Sequence, residues 1–317
     1  MESDVKMMYA GEKPWHGIGK ELDNPPTFKE AIINAGMDWG VEIRKIKTDP
    51  GDIFLPGKFA VIRKDNEATL GIVGSKRKFI QNTDSFGFFD KLIEKKNATY
   101  HTAGIIGQGE KIWILVKLSD VIKVTSEDTV DQFLLCSNNH DGKGARRIFF
   151  APIRSISQNT LNVALKKNFN QIKSICNVGD VEEKSISLEE ILGNSKKYYD
   201  DFEVKSGFLV SKQVSSGDID EYLNNCFHDY EQKAKKVKNM ITRVRENFEE
   251  EGKMIPSIAG TYWALFNAYI GYIDHQRATK GDNDYDRKSN HLNSIWLGSS
   301  VKLKQRGWDV AMKMASK

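Results

Sequence analysis

The sequence predicts an α+β fold: an antiparallel meander sheet with flanking helices, followed by a mainly helical C-terminal part. Three observations predict it. Between Val41 and Pro152, apolar and polar residues alternate at period two in short runs separated by Gly-, Asn- and Asp-containing turns, which is the pattern of half-buried strands. The links between the later runs, such as Gly107-Gln-Gly109, are too short for a crossover helix and demand antiparallel neighbours. From Ser187 onward the apolar spacing lengthens to the helical period. The shift near residue 180 divides the chain into residues 1–180, an α+β domain with a basic strand-turn-helix, and residues 181–317, a helical domain.

The elements follow in order. Val41–Ile46 alternates as a strand, and Phe59–Arg63 with Leu70–Val73 reads as a hairpin across Asp65-Asn66. Phe86, Phe89 and Ile93 fall at helical spacing, so Asp84–Lys95 is expected as a short amphipathic helix capped by Thr83 or Asp84. Four strands come next: Tyr100–Ile106, Lys111–Leu118, Val130–Ser137 and Arg146–Pro152. Leu161, Ala164, Leu165 and Phe169 form a helical stripe, predicting a helix over Asn159–Phe169. Helices are expected over Leu188–Glu203, Asp218–Cys226, Tyr230–Glu251, Ser257–Thr279 and His291–Met314. The first has a capping-box start, Ser187 to Glu190.

Composition narrows the class. A hydrophobic content of 39% with 28% charge suits a protein with a real core and much solvated helix surface. Cys136, Cys176 and Cys226 show no metal or redox spacing, so they read as free thiols. The N-terminus lacks an apolar leader core, and the Tyr262–Ile273 stretch is too short and too interrupted to span a bilayer. A cytoplasmic location with no membrane partner is therefore expected.

Charge carries the functional signal. From Gly142 to Gly179 there is no Asp or Glu, although the chain has 43 acids in 317 residues. That stretch holds Lys143, Arg146, Arg147, Arg154, Lys166, Lys167 and Lys173, so a net charge of +4 hides a concentrated basic block. Such a block suits a phosphate backbone, whose neutralisation releases counterions. In strand Arg146–Pro152, Arg147 and Phe149 share one face, while Arg146, Ile148 and Phe150 share the other. Cations interleaved with rings suit single-stranded nucleic acid, because bases stack on rings and phosphates pair with cations. A solvated basic surface, with the phenylalanines in the core, is the plain alternative.

Other constellations give less. The seven cations between Arg287 and Lys317 form a second basic patch or a solvated helix face. Trp263, Phe266, Ile270 and Ile273 read as a packing stripe. Asp274-His275 lacks the i+4 partner that a helical metal site needs. A nuclease would need converging carboxylates, and candidates such as Asp282, Asp284 and Asp286 sit in a loop-like stretch. Loop Pro14-Trp-His-Gly-Ile-Gly-Lys20 lacks the phosphate-loop signature, leaving Trp15, His16 and Lys20 as possible strand or subunit contacts. No Ser-centred elbow or Cys/His pairing appears, so no catalytic residue, metal or cofactor is expected.

Several segments together resemble a phage/plasmid-like family described as a domain of unknown function, number 932. They are Pro14–Lys20, Ala35-Gly-Met-Asp-Trp39, Pro152-Ile-Arg-Ser-Ile-Ser-Gln-Asn-Thr-Leu161, and Tyr262–Tyr269 with Asp274-His275. Members often carry Cys where Gln158 stands. The resemblance implies a phage or mobile-element origin, hence a host cytoplasm, and supplies no activity. Separately, three meandering strands followed by Asn159–Phe169 give a β-β-β-α order that looks like the core of single-strand annealing recombinases, where an adjacent basic groove holds DNA. The expectation is a homo-oligomeric protein that binds single-stranded DNA (or RNA) and anneals it in recombination. The alternative is a phage accessory protein that binds a host protein in defence or takeover.

Overall fold

The computed structural model describes residues 7–14, 18–77, 80–95, 98–144, 146–165, 171–175, 188–227 and 234–317. Strands β1 (Met7–Ala10) and β2 (Lys20–Leu22) precede helix α1 (Phe28–Asn34). A reciprocal capping box starts α1: the Glu30 amide donates to Thr27 Oγ1, and Thr27 donates its amide to Glu30 Oε2 at 2.8 Å. Strands β3 (Val41–Lys47), β4 (Phe54–Arg63) and β5 (Thr69–Gly74) form a separate antiparallel sheet in that order. The expected helix after it is broken at Gly87 into α2 (Asn82–Phe86), a 3-10 turn and α3 (Asp90–Glu94).

The main sheet is the predicted meander. Strands β6 (Ala98–Ile106), β7 (Lys111–Lys123), β8 (Thr129–Asn139) and β9 (Arg146–Phe150) pair consecutively and antiparallel. Gly107 and Gly109, at φ 69 and 118, make the β6–β7 turn; both angles lie in the left-handed region that favours glycine. Trp39 packs against Gly109 so closely that a Cβ there would sit 2.7 Å from the indole. Arg63 covers that indole at 4.2 Å, donates to Gln108 O and chelates Asp65, which ties the small sheet to the large one.

After β9 the helix expected over Asn159–Phe169 is not found in its described part. Residues 159–165 are not helical, and after the short strand β10 (Ile153–Arg154) the chain returns as β11 (Gln171–Ile175), antiparallel to β9. The cause is a set of side-chain partners that satisfies this backbone without a helix. Asp274 Oδ2 accepts from the Thr160 amide at 2.8 Å, and Gln305 accepts from the Ala164 amide and donates back to its carbonyl. Leu161 and Val163 are buried in the core. The helix of the expected β-β-β-α order is absent over residues 159–165, and two further strands, β10 and β11, follow β9.

The rest of the chain is helical: α4 (Leu188–Val210), α5 (Ser216–Phe227), α6 (Ala234–Met254), α7 (Tyr262–Gly271), α8 (Asp284–Leu297) and α9 (Ser299–Ala315). The helix expected over His291–Met314 is two helices broken at Gly298, and α8 begins at Asp284, within the stretch read as loop-like. Every residue from Tyr262 to Ile270 is buried, more than the single apolar stripe requires. Core packing runs across residue 180: Phe150 stacks on Tyr198 at 4.7 Å, and Tyr199 Oη donates to Phe133 O. Among the described residues, no helix is long and apolar enough to cross a membrane.

Candidate nucleic-acid interface

The pleat gives the main sheet two unlike faces. Ile112, Ile114, Val116, Leu134, Cys136, Ile148 and Phe150 belong to the large core shared with α4 and α7. The opposite face presents Lys111, Trp113, Leu115 and Lys117 from β7. Opposite them β8 sets Asn139, Ser137, Leu135 and Phe133, and β9 adds Arg147 and Phe149. Among the described residues, α8 covers part of this second face through Leu292, Ile295 and Trp296, and Met7 and Ile18 pack in the same cluster. Phe149 and Arg147 remain half-exposed.

The predicted basic residues distribute as follows. Arg147 and Lys143 come together with Lys111 in a recess lined also by Asn139, Asp141 and Leu297. Lys111 Nζ donates to Asn293 Oδ1 at 3.0 Å, fixing it beside α8. Among the described residues Asp141 is the one carboxylate lining this recess, and its Oδ1 accepts from the Lys143 amide at 2.8 Å, shaping the turn. The turn is placed by Arg77, which donates to the carbonyls of Gly142 and Gly144. Lys173 lies on β11 opposite Ile148. Lys166 and Lys167 lie outside the described residues, as do Trp15 and His16. Lys20 opens β2 and donates to Asn34 Oδ1 at 2.7 Å.

Arg146 and Arg154, expected as part of the basic block, lie apart from this group. Arg146 points into the helix-covered face, with Phe88 under its guanidinium at 5.6 Å and the carbonyls of Asp84 and Ser85 as acceptors. Arg154 is fully buried between Asp128 and Glu251. Burial alone would weaken the charge on its guanidinium, but the two carboxylates outweigh that and hold it protonated. Trp263 Nε1 completes the cluster by donating to Asp128 Oδ2 at 2.8 Å. Burial also pushes the Glu251 carboxyl upward, against the pull of Arg154.

The C-terminal basic patch is dispersed in the same way. Lys304 is fully buried against Asp274 at 2.6 Å and also reaches Thr160 Oγ1. Arg287 and Lys288 pair with Asp284, and Lys317 pairs with Glu221. Asp274 and His275 sit on a π-helical turn (Tyr272–Gln276), where burial lowers the His275 pKa and its Nε2 meets Asn159 Oδ1 at 3.0 Å. Among the described residues no three His, Cys, Asp or Glu gather at metal-binding distance. Cys136 and Cys226 are buried free thiols, each pushed up to about 12 by burial.

Sequence reasoning missed the residues that complete the open face. Lys111, Trp113, Leu115 and Lys117 alternate at period two, a signal present in the chain, whereas Trp296 arrives from an element 183 positions beyond Trp113 and leaves no local trace. The class so defined is an α+β protein with one sheet face sealed by helices and the other half-covered and edged by cations. The chain belongs to the family described as a domain of unknown function (DUF932), which matches residues 69–296. That span holds β7, β8, β9 and all of α8 but its last residue. No curated protein and no solved structure matches the chain.

Proposed function

We propose that the chain binds single-stranded nucleic acid along the half-covered face of β7, β8 and β9, in the recombination of a phage or other mobile element. One observation carries the reading: Arg147 and Phe149 alternate on that face, with Lys111 and Lys143 beside Arg147. Three cations attract phosphates, and the half-exposed ring offers a base a stacking surface indifferent to sequence. Arg154, Arg146 and Lys304 have structural roles in this reading. Annealing and homo-oligomer formation are further steps that the same reading anticipates.

Affinity for oligo(dT), measured by fluorescence anisotropy at several salt concentrations, tests it. Log affinity should fall against log salt with a slope near −2, roughly 0.7 for each of three neutralised phosphates. An unmeasurable affinity, or one indifferent to salt, contradicts the reading.

A host-protein partner is the second reading, and a different surface favours it. Ile53, Phe54 and Leu55 are exposed in succession at the start of β4, with Lys45 and Lys47 over the Phe54 ring. Clustered exposed apolar side chains of this kind mark interaction sites more often than isolated ones. Co-purification of a host protein after nuclease treatment, lost on substituting Ile53 and Phe54 by serine, would favour this second reading.

A further inference from the structure

We propose that a second recess, at the opposite end of the same sheet face, is a pocket for one nucleobase. The proposal rests on the strand-binding reading for the origin of that base. The alternation of β7 carries the face from Lys111 through Trp113 and Leu115 to Lys117, roughly 20 Å at about 3.3 Å per residue. At the Lys117 end, Trp113, Phe133 and Trp296 with Leu292 and Ile295 wall a recess edged by His101, Arg154 and Thr160. Trp113 and Trp296 stand 6.3 Å apart, and His101 meets Phe133 edge-on at 5.1 Å. Aromatic walls of this kind suit a flat ring.

Polar groups specify the ring further. Trp113 and Arg154 are each at least 98% buried, and each has a buried N–H, Trp113 Nε1 and Arg154 Nη2, without a hydrogen-bond partner among the described residues. Both residues line the recess, and two unspent donors bordering it suit a ligand with acceptor atoms. The charges argue against an anion. Asp128 and Glu251 already answer Arg154, Asp131 answers Lys117 at 3.0 Å, and burial lowers the His101 pKa to about 4, leaving it neutral. A flat, uncharged ring bearing carbonyl and ring-nitrogen acceptors is a nucleobase. The cationic recess at the Lys111 end would hold phosphates while this one receives a base.

The pocket is tested apart from the strand by titrating the full chain with adenosine, guanosine, cytidine and thymidine, using tryptophan fluorescence and calorimetry. At least one nucleoside should bind saturably and quench Trp113 and Trp296, and Leu292→Trp, which fills the recess, should weaken it at least tenfold. An oligonucleotide of the preferred base should bind about tenfold tighter than an abasic oligomer with the same number of phosphates, a comparison that needs no variant. Saturable nucleoside binding without any oligomer binding supports the pocket and removes the strand-binding reading. Absence of saturable nucleoside binding overturns the pocket whatever the oligomers do; if both oligomers then bind alike, the strand-binding reading stands alone. Nucleoside binding undiminished in a folded Leu292→Trp protein also overturns it.

Discussion

Arg154 donates from Nε to both carboxylate oxygens of Asp128, at 2.8 and 3.0 Å, in a site closed to solvent on both sides of the pair. The same arginine reaches Glu251 on α6, so one guanidinium joins the main sheet to the helical half. Removing one partner from such a site leaves an uncompensated buried charge, which costs about 3–5 kcal/mol. Arg154→Met should therefore lower the urea unfolding free energy by that amount. Arg154→Met should leave the salt slope of oligo(dT) binding unchanged in the folded fraction, because Arg154 lies outside the Lys111, Lys143 and Arg147 group. A folded Arg154→Met protein of unchanged stability would contradict this role.

Acid should destabilise the fold through its buried histidines. His140 Nε2 faces Asn82 Oδ1 at 2.8 Å, and since Asn82 Nδ2 donates to the Met37 and Trp39 carbonyls, His140 is the donor. Burial lowers His101 and His140 from 6.5 to about 4. Between those values the folded chain binds fewer protons than the unfolded one, so stability is present above 6.5 and is lost as pH falls toward 4. Each group adds a slope of up to about 1.4 kcal/mol per pH unit. Urea midpoints at pH 7 and pH 5 check this, and His140→Gln should reduce the slope by about one proton.

The turn carrying Lys143 depends on a glycine outside the basic block. A Cβ at Gly71 would lie 2.6 Å from the backbone of Asp141, which cannot yield as a flexible side chain would. Gly71→Ala should push that turn off β5, at a cost of about 1–3 kcal/mol. It should also weaken oligo(dT) binding several-fold, although no cation has changed. Binding equal to that of the parent chain, in a protein shown to be folded, would separate Lys143 from the ligand.

The exposed hairpin gives a contrasting expectation. Ile53→Ser with Phe54→Ser alters side chains that pack on no core, so the melting temperature should hold, as surface substitutions away from special features cost within about 0.5 kcal/mol. Self-association measured by light scattering should fall if that face is sticky. Strong destabilisation would show that the face is covered by something other than solvent.

Much of the fold was legible because local patterns carry it. The period-two runs of β6 to β9, the Gly107–Gly109 turn and the burial of Trp263, Phe266, Ile270 and Ile273 follow from neighbours a few residues apart. The division of Arg146 and Arg147 between opposite faces followed from the pleat as well. Long-range partners were not legible. Nothing near Arg154 announces Glu251, 97 residues away, and nothing near Thr160 announces Asp274 or Lys304, which replace helical hydrogen bonds with side-chain ones. Counting charge along the chain therefore overstated the site, since two of the three arginines are spent on the interior.

The central claim is that Lys111, Lys143 and Arg147 together meet phosphates, and the most direct measurement compares salt slopes. Anisotropy titrations of oligo(dT) should give a log–log slope near −2 for the parent chain, about 0.7 per phosphate. For the folded triple variant Lys111→Gln, Lys143→Gln, Arg147→Gln the slope should approach zero, with affinity down at least tenfold. Equal slopes for the two proteins would contradict the claim and place any bound strand elsewhere.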